Sequence, residues 1–184
     1  MAPRLVLASR SPQRRAILEQ LGVEFEVAVP DVEEAAVGEP RALVVENALR
    51  KARAVPARAQ PVLGVDTLVA LEGRTLGKPR DEHEAREFLT DLSGRLHEVH
   101  SGVALLGREG ERAEAATTRV RFRTLEEADL DWYLAAGEWR ERAGGYAIQG
   151  RGAALVDQIE GDYWNVVGLP VSLLIRMAPW LLGR

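Results

Sequence analysis

Short apolar strands alternating with helices predict an α/β protein, and three stretches carry that reading. The first is Val62-Leu63-Gly64-Val65-Asp66-Thr67-Leu68-Val69, rich in β-branched residues and cut off by Gly73, as a strand buried on both faces would be. The second runs from Arg4, where an apolar strand to Ala8 leads through a polar loop into a helix beginning at Pro12. The third pairs Leu96 to Leu106 with Ala113 to Arg123 as a hairpin, with Val120 and Phe122 alternating against Arg119, Arg121 and Arg123.

The Val62–Val69 strand carries a carboxylate, Asp66, at its middle. An unpaired buried carboxylate costs several kcal/mol or takes up a proton, so a cation, a metal or hydrogen-bond donors must meet it. The alternative is that the strand ends at Val65 and Asp66 caps a turn. At the N-terminal end Ser11 suits a helix cap and Pro12 the first helical position, and Gly22 stops the helix after Ile17, Leu18 and Leu21. A strand, a loop and a helix start present free N–H groups to an anion. Arg14 and Arg15 in the first turn oppose the helix dipole unless an anion sits there; the plain alternative is two solvated arginines.

Val23 to Val29 reads as the next strand, and the acidic stretch Asp31-Val32-Glu33-Glu34 follows as a cluster that could collect a hard divalent cation or simply be solvated. Pro40 to Ala54 is the clearest helix, with Leu43, Ala48 and Ala52 near one face and Lys51 near its end. Glu72-Gly73 is a hairpin-like turn before Leu76-Gly77-Lys78-Pro79. That last tetrapeptide is not an ATPase phosphate loop: the spacing from Gly73 is one residue short, and proline replaces the required hydroxyl. Asp81 and Glu84 have capping-box spacing ahead of a helix that ends at Gly94, and a further helix spans Glu126 to Ala136. The glycines of Arg142–Gly152 imply close backbone approach to something around Tyr146 and Gln149; the plain alternative is a glycine-rich structural loop. Strands at Ala154 to Ile159 and Tyr163 to Val167, then a helix from Leu169-Pro170 to Leu182, complete the reading.

Composition narrows the function. The chain has 184 residues, a net charge of −4 and no cysteine. That excludes disulfides, zinc thiolate centres and cysteine nucleophiles, and scattered basic residues argue against nucleic acid. The early apolar run, Leu5 to Ala8, is too short for a signal peptide or a membrane span, so a soluble cytoplasmic protein is expected. No repeat or linker divides it, and one domain over residues 1–184 is expected. His97 and His100 lie three apart on one strand and so on opposite faces, a poor metal pair, and no serine-nucleophile elbow is present. Of 24 basic residues only Lys51 and Lys78 are lysine, which suggests two places where a compact ammonium is preferred to a planar guanidinium; the alternative is chance survival of two lysines in an arginine-rich chain.

Taken together, Leu7-Ala8-Ser9-x-Ser11-Pro12-x-Arg14-Arg15, Glu33-Glu34, Lys51-Ala52, Gly64-x-Asp66-Thr67, Gly77-Lys78-Pro79, Ala143-Gly144-x-Tyr146-x-Ile148-Gln149-Gly150 and Gly168-Leu169-Pro170 resemble the Maf family of nucleoside triphosphate pyrophosphatases. The match runs nearly end to end. It implies a mixed central sheet flanked by helices, in two lobes around a deep cleft, similar to inosine triphosphate pyrophosphatases. It also implies cleavage of a nucleoside triphosphate to monophosphate and pyrophosphate with a divalent cation, Mg²⁺, Mn²⁺ or Co²⁺. Asp66-Thr67 and Ile148-Gln149 resemble the subfamily acting on dTTP and UTP, whereas Gln13 stands where that subfamily usually has arginine. On this resemblance Ser9, Arg14, Lys51 and Lys78 hold the triphosphate, Glu34 and Asp66 bind the cation, and Asp66 can also take the proton of the attacking water. Thr67 and Gln149 read the base, and Gln13 bears on the choice of base, CTP included. A nucleoside triphosphate is then the partner, with neither nucleic acid nor membrane, and a homodimer is allowed. The rival reading is a nucleotide-sensing protein of septum formation that binds without turnover.

Overall fold

The computed structural model describes residues 5–56, 59–108 and 110–183. Among the described residues seven strands form one mixed sheet. Strand β1 (Leu5–Ala8) is buried at all four residues and runs parallel to both β2 (Phe25–Val27) and β3 (Val62–Leu71). With β4 (Arg74–Leu76), β5 (Leu96–Gly107), β6 (Gly110–Phe122) and β7 (Val156–Glu160), the order is β2-β1-β3-β5-β6-β7, and β4 pairs antiparallel with β3. The expected start of β1 at Arg4 lies outside the described residues. β2 is shorter than Val23–Val29 because the Val23 N–H finishes the preceding helix, donating to the Leu18 carbonyl. β3 and β4 meet at Glu72-Gly73, both with positive φ (51° and 81°), the geometry a two-residue hairpin needs.

Helix α1 (Pro12–Gln20) is capped by Ser11, and α2 (Pro40–Arg53) by Glu39, which accepts from the N–H groups of Arg41 and Ala42. Helix α3 (Glu82–Leu92) begins at Asp81, whose side chain accepts from the Glu84 N–H; Glu84 bonds the N–H of Arg80 rather than closing a capping box. Helix α4 (Glu127–Leu134) does have the box, between Glu126 and Asp129.

The C-terminal third departs from expectation in three places. Residues Gly150–Leu155 form a 3-10 turn, so β7 begins at Val156 instead of Ala154. Tyr163–Val167 is a helix, α5, rather than a strand. Asp162 caps its first turn through the Trp164 N–H at 2.8 Å, and Asn165 donates to Val99 O and Thr118 Oγ1, which rewards helical spacing over alternation. The last helix, α6 (Val171–Met177), stops at Ala178 (φ −137°, ψ 62°), because Pro179 forbids the helical conformation at the residue before it. A short 3-10 turn, Pro179–Leu182, follows.

The chain divides into two compact units, one of Met1–Thr67, Ser101–Ala116 and Gly168–Arg184, the other of Leu68–His100 and Thr117–Val167. In the first, Val6, Ala8, Ala48, Ala52, Val62 and Ala104 form a core where α2 covers β1 and β3. The helix is pressed onto the sheet: a Cβ built on Gly64 would lie 2.1 Å from Ala48 O, and one on Gly102 2.1 Å from Val44 O. Only glycine permits that approach, and it brings the α2 face bearing Asn47 and Lys51 down onto β3. In the second unit, Val69, Leu89, Leu92, Phe122, Tyr133 and Tyr146 anchor a separate core.

Candidate active site

Asp66 sits inside β3 at 6% exposure, and the strand continues past it to Leu71, so the turn-cap alternative fails. The donors its burial demands come from one helix. Lys51 Nζ lies 2.6 Å from Asp66 Oδ1, and Asn47 Nδ2 donates to Asp66 Oδ2 at 3.1 Å. Asn47 and Lys51 are four apart on α2 and so share a face. The same ammonium lies 2.8 Å from Glu34 Oε1, so two carboxylates converge on one cation. Lys51 and Asp66 are nearly buried, while the Glu34 side chain is 51% exposed. Breaking such a buried pair costs about 3–5 kcal/mol, because the survivor keeps an uncompensated charge.

Side chains alternate along β3, so Thr67 leaves the face opposite Asp66. There its hydroxyl lies 2.8 Å from Ser101 Oγ and accepts from Arg14 Nη2 at 3.2 Å. Arg14 is turned inward rather than toward solvent. Its Nε donates to Gly168 O at 2.9 Å and its Nη1 to Ser9 Oγ at 3.0 Å. Burial pushes its guanidinium below the ordinary value, with Asp66 and then Glu34 opposing the fall. The two-solvated-arginines reading therefore fails for Arg14 and holds for Arg15, which is exposed. Ser9 is 4% exposed and also accepts from the Ser11 N–H. Ser11 Oγ donates to Gln13 Oε1 at 3.1 Å, which ties the Gln13 carboxamide to the loop at the start of α1.

Lys78 and Gln149 belong to the other unit. Lys78 is exposed and pairs with Glu141 at 2.9 Å, holding that carboxyl below its usual range, chiefly through the hydrogen bond. Gly77 O accepts from the Gly144 N–H, so the loop bearing Lys78 and the glycine-rich stretch are joined. The close approach those glycines imply is to the chain itself. A Cβ on Gly144 would lie 2.9 Å from Val69 Cγ2, and one on Gly152 1.8 Å from Ala147 O. Gln149 is exposed just before the Gly150–Leu155 turn. Behind it, Tyr146 bonds His97 Nε2 at 2.9 Å and Tyr133 Oη accepts from the Ala147 N–H. His97 is thus a buried anchor, its imidazolium disfavoured by burial to a pKa of about 4. His100 bonds Thr117, and the two histidines share no ligand.

Among the described residues no three His, Cys, Asp or Glu side chains gather as a metal centre. Glu34 and Asp66 nonetheless suit a hard divalent cation. Both offer oxygen donors to one point, and Mg²⁺ commonly takes one or two carboxylates and completes its shell with water and substrate phosphates. The residues that the sequence did not single out are Asn47, Ser101 and Glu141. Asn47 alone left a trace: it is one of two asparagines, and it precedes Lys51 by one helical turn.

Residues 4–179 match the family model for Maf-like protein. The chain belongs to the Maf family. It is 49% identical over 177 residues to a dTTP/UTP pyrophosphatase of Symbiobacterium thermophilum, covering 94% of this chain and 91% of the relative. It is 46% identical over 182 residues to one of Thermus thermophilus (98% and 96% covered) and 45% identical over 179 residues to one of Deinococcus radiodurans (96% and 92%). Among solved structures, this Maf chain is similar to the Staphylococcus aureus Ham1 protein, with a TM-score of 0.45 and 18% identity over 64% of this chain and 71% of that one.

Proposed function

We propose that this chain hydrolyses dTTP and UTP to the nucleoside monophosphate and pyrophosphate with the help of a divalent cation. The observation that carries the reading is Asp66, buried and held between Lys51 and Asn47 with Glu34 on the same ammonium. It stands in a chain whose relatives at 45–49% identity are dTTP/UTP pyrophosphatases.

Cleavage between the α and β phosphorus is mostly a matter of positioning and charge stabilisation. Lys51 supplies a compact positive charge for phosphate oxygens, and Lys78 a second on an exposed loop. The Ser9–Arg15 segment offers backbone N–H groups at a helix start, and Arg14 keeps that segment in place through Ser9 and Gly168. Asp66 accepts the proton of the attacking water on a carboxylate oxygen as the new P–O bond forms and pyrophosphate leaves. Glu34 and Asp66 would hold the cation, which supplies Lewis-acid charge to the phosphate oxygens. Base recognition falls to Gln149 and Gln13, since a carboxamide can accept from uracil N3–H and donate to a ring carbonyl. Thr67, whose hydroxyl is engaged by Arg14 and Ser101, is the further candidate for reading the base.

The test is incubation with a panel of nucleoside triphosphates and detection of pyrophosphate. Release from UTP and dTTP that requires Mg²⁺, Mn²⁺ or Co²⁺ is expected. Orthophosphate release, or binding without turnover under all three ions, would overturn the proposal.

A further inference from the structure

The carboxamide of Asn47 is 3% exposed and makes three hydrogen bonds, two of them to a single residue. Its Oδ1 accepts from the Ala35 N–H at 2.7 Å, and its Nδ2 donates to Ala35 O at 3.0 Å. The other Nδ2 proton goes to Asp66 Oδ2 at 3.1 Å. Both donors of the amide are then in use, so the group has one orientation that satisfies it. Ala35 follows Glu34 directly. The amide therefore pins the residue beside one acidic side chain while it bonds the other.

Asn47 also completes what Lys51 begins. Lys51 takes Asp66 Oδ1 and Asn47 takes Oδ2, both from α2, so the carboxylate is gripped at each oxygen and each oxygen keeps a lone pair for reaction. Lysine is long and flexible and can follow a displaced carboxylate. Asparagine is short, and its reach depends on the close helix approach that Gly64 allows. Burying an amide is costly unless every polar atom is satisfied, and here the satisfying partners are the two acidic elements of the site.

We propose that Asn47 is a positioning residue of the pyrophosphatase site, fixing the carboxylate of Asp66 and, through Ala35, the placement of Glu34. This rests on the hydrolytic reading above and adds to it a residue that touches neither substrate nor cation.

The experiment compares wild type with Asn47→Leu, which keeps the branched outline of the side chain and removes all three bonds, and with Asn47→Ala, which carries the same comparisons should the bulkier leucine variant not fold. Each is measured alone and combined with Asp66→Asn. Steady-state kinetics on UTP are joined by hydrogen exchange at the Ala35 amide, a readout that needs no turnover. Expected are a fall in kcat of about tenfold or more with KM within about threefold, and faster exchange at Ala35. In the Asp66→Asn background the same substitution should change the rate less than about threefold, since a residue acting through Asp66 has little left to position. A purely structural role would give the same loss in both backgrounds. That result, or unchanged kcat in an active wild-type background, overturns the inference and leaves the hydrolytic function standing. Wild-type protein that releases no pyrophosphate overturns the function, and the inference falls with it.

Discussion

Replacing Gly64 by alanine tests how the site is assembled without touching any of its polar groups. The added Cβ would lie 2.1 Å from Ala48 O, 2.9 Å from Ala52 Cβ and 3.0 Å from Ala52 N. Contacts of this kind do not fall below 3.0 Å, so α2 must retreat by at least about 0.9 Å near Ala48. The Asn47–Asp66 bond starts at 3.1 Å and cannot survive that shift as a hydrogen bond, whereas Lys51 can extend to keep Asp66. Overpacking of this kind costs about 1–3 kcal/mol, which for a chain of this size lowers Tm by roughly 2–4 °C per kcal/mol. Thermal unfolding by circular dichroism and UTP turnover are measured on the same preparation. The expected outcome is a Tm lower by about 2–12 °C and kcat lower by about tenfold, with KM little changed. Gly77→Ala is the control for Tm, since a Cβ there meets nothing within 4 Å. A Gly64→Ala protein with wild-type Tm and wild-type kcat would refute the claim that helix contact at β3 sets the site.

Three further perturbations separate charge, shape and titration. Lys78→Arg keeps the charge and can keep the exposed pair with Glu141, so Tm should not move, yet kcat/KM for UTP should fall about tenfold if a compact ammonium is needed; wild-type kinetics would make the scarcity of lysine a coincidence. Gln13→Arg should raise the UTP/CTP ratio of kcat/KM by about tenfold, because arginine cannot accept from the cytosine amino group, and an unchanged ratio would mean that Gln13 does not read the base. His97 titrates at about 4 when folded against 6.5 as its ordinary value, so the unfolded chain binds its proton first as pH falls. Its contribution is full above about pH 6.5 and is lost toward pH 4, by about 3 kcal/mol in all. Urea unfolding of wild type and His97→Gln between pH 7 and pH 4 should show the steeper acid loss in wild type; parallel curves would contradict it.

Much of the site was legible because burial forces chemistry. A carboxylate inside an apolar strand must meet donors, and the lysine that meets Asp66 is one of only two in the chain. Gly64-x-Asp66 was readable as a motif, but its reason appears only when α2 is seen packed on β3. Asn47 stayed hidden because its partner Ala35 lies in an irregular segment that no periodicity positions. Arg14 was legible only in part: helix-start logic places it near an anion, and its acceptors on Ser9, Thr67 and Gly168, which draw it inward, come from tertiary packing that no local spacing shows. The fold was readable wherever apolar spacing was long and regular, as in α2 and β3. It was misread at Tyr163–Val167, where one capping aspartate and one buried asparagine outweigh β propensity over five residues.

The most direct test of the account is Asp66→Asn, which keeps the shape of the side chain and removes its charge. The assay is pyrophosphate release from UTP under saturating Mg²⁺, with circular dichroism to check the fold. The account predicts a folded protein whose kcat is lower by about 10² or more, since the group that takes the proton and helps hold the cation has gone. A folded Asp66→Asn enzyme that turns over UTP at the wild-type rate would show that the buried pair of Lys51 and Asp66 is a structural strut and not the centre of the chemistry.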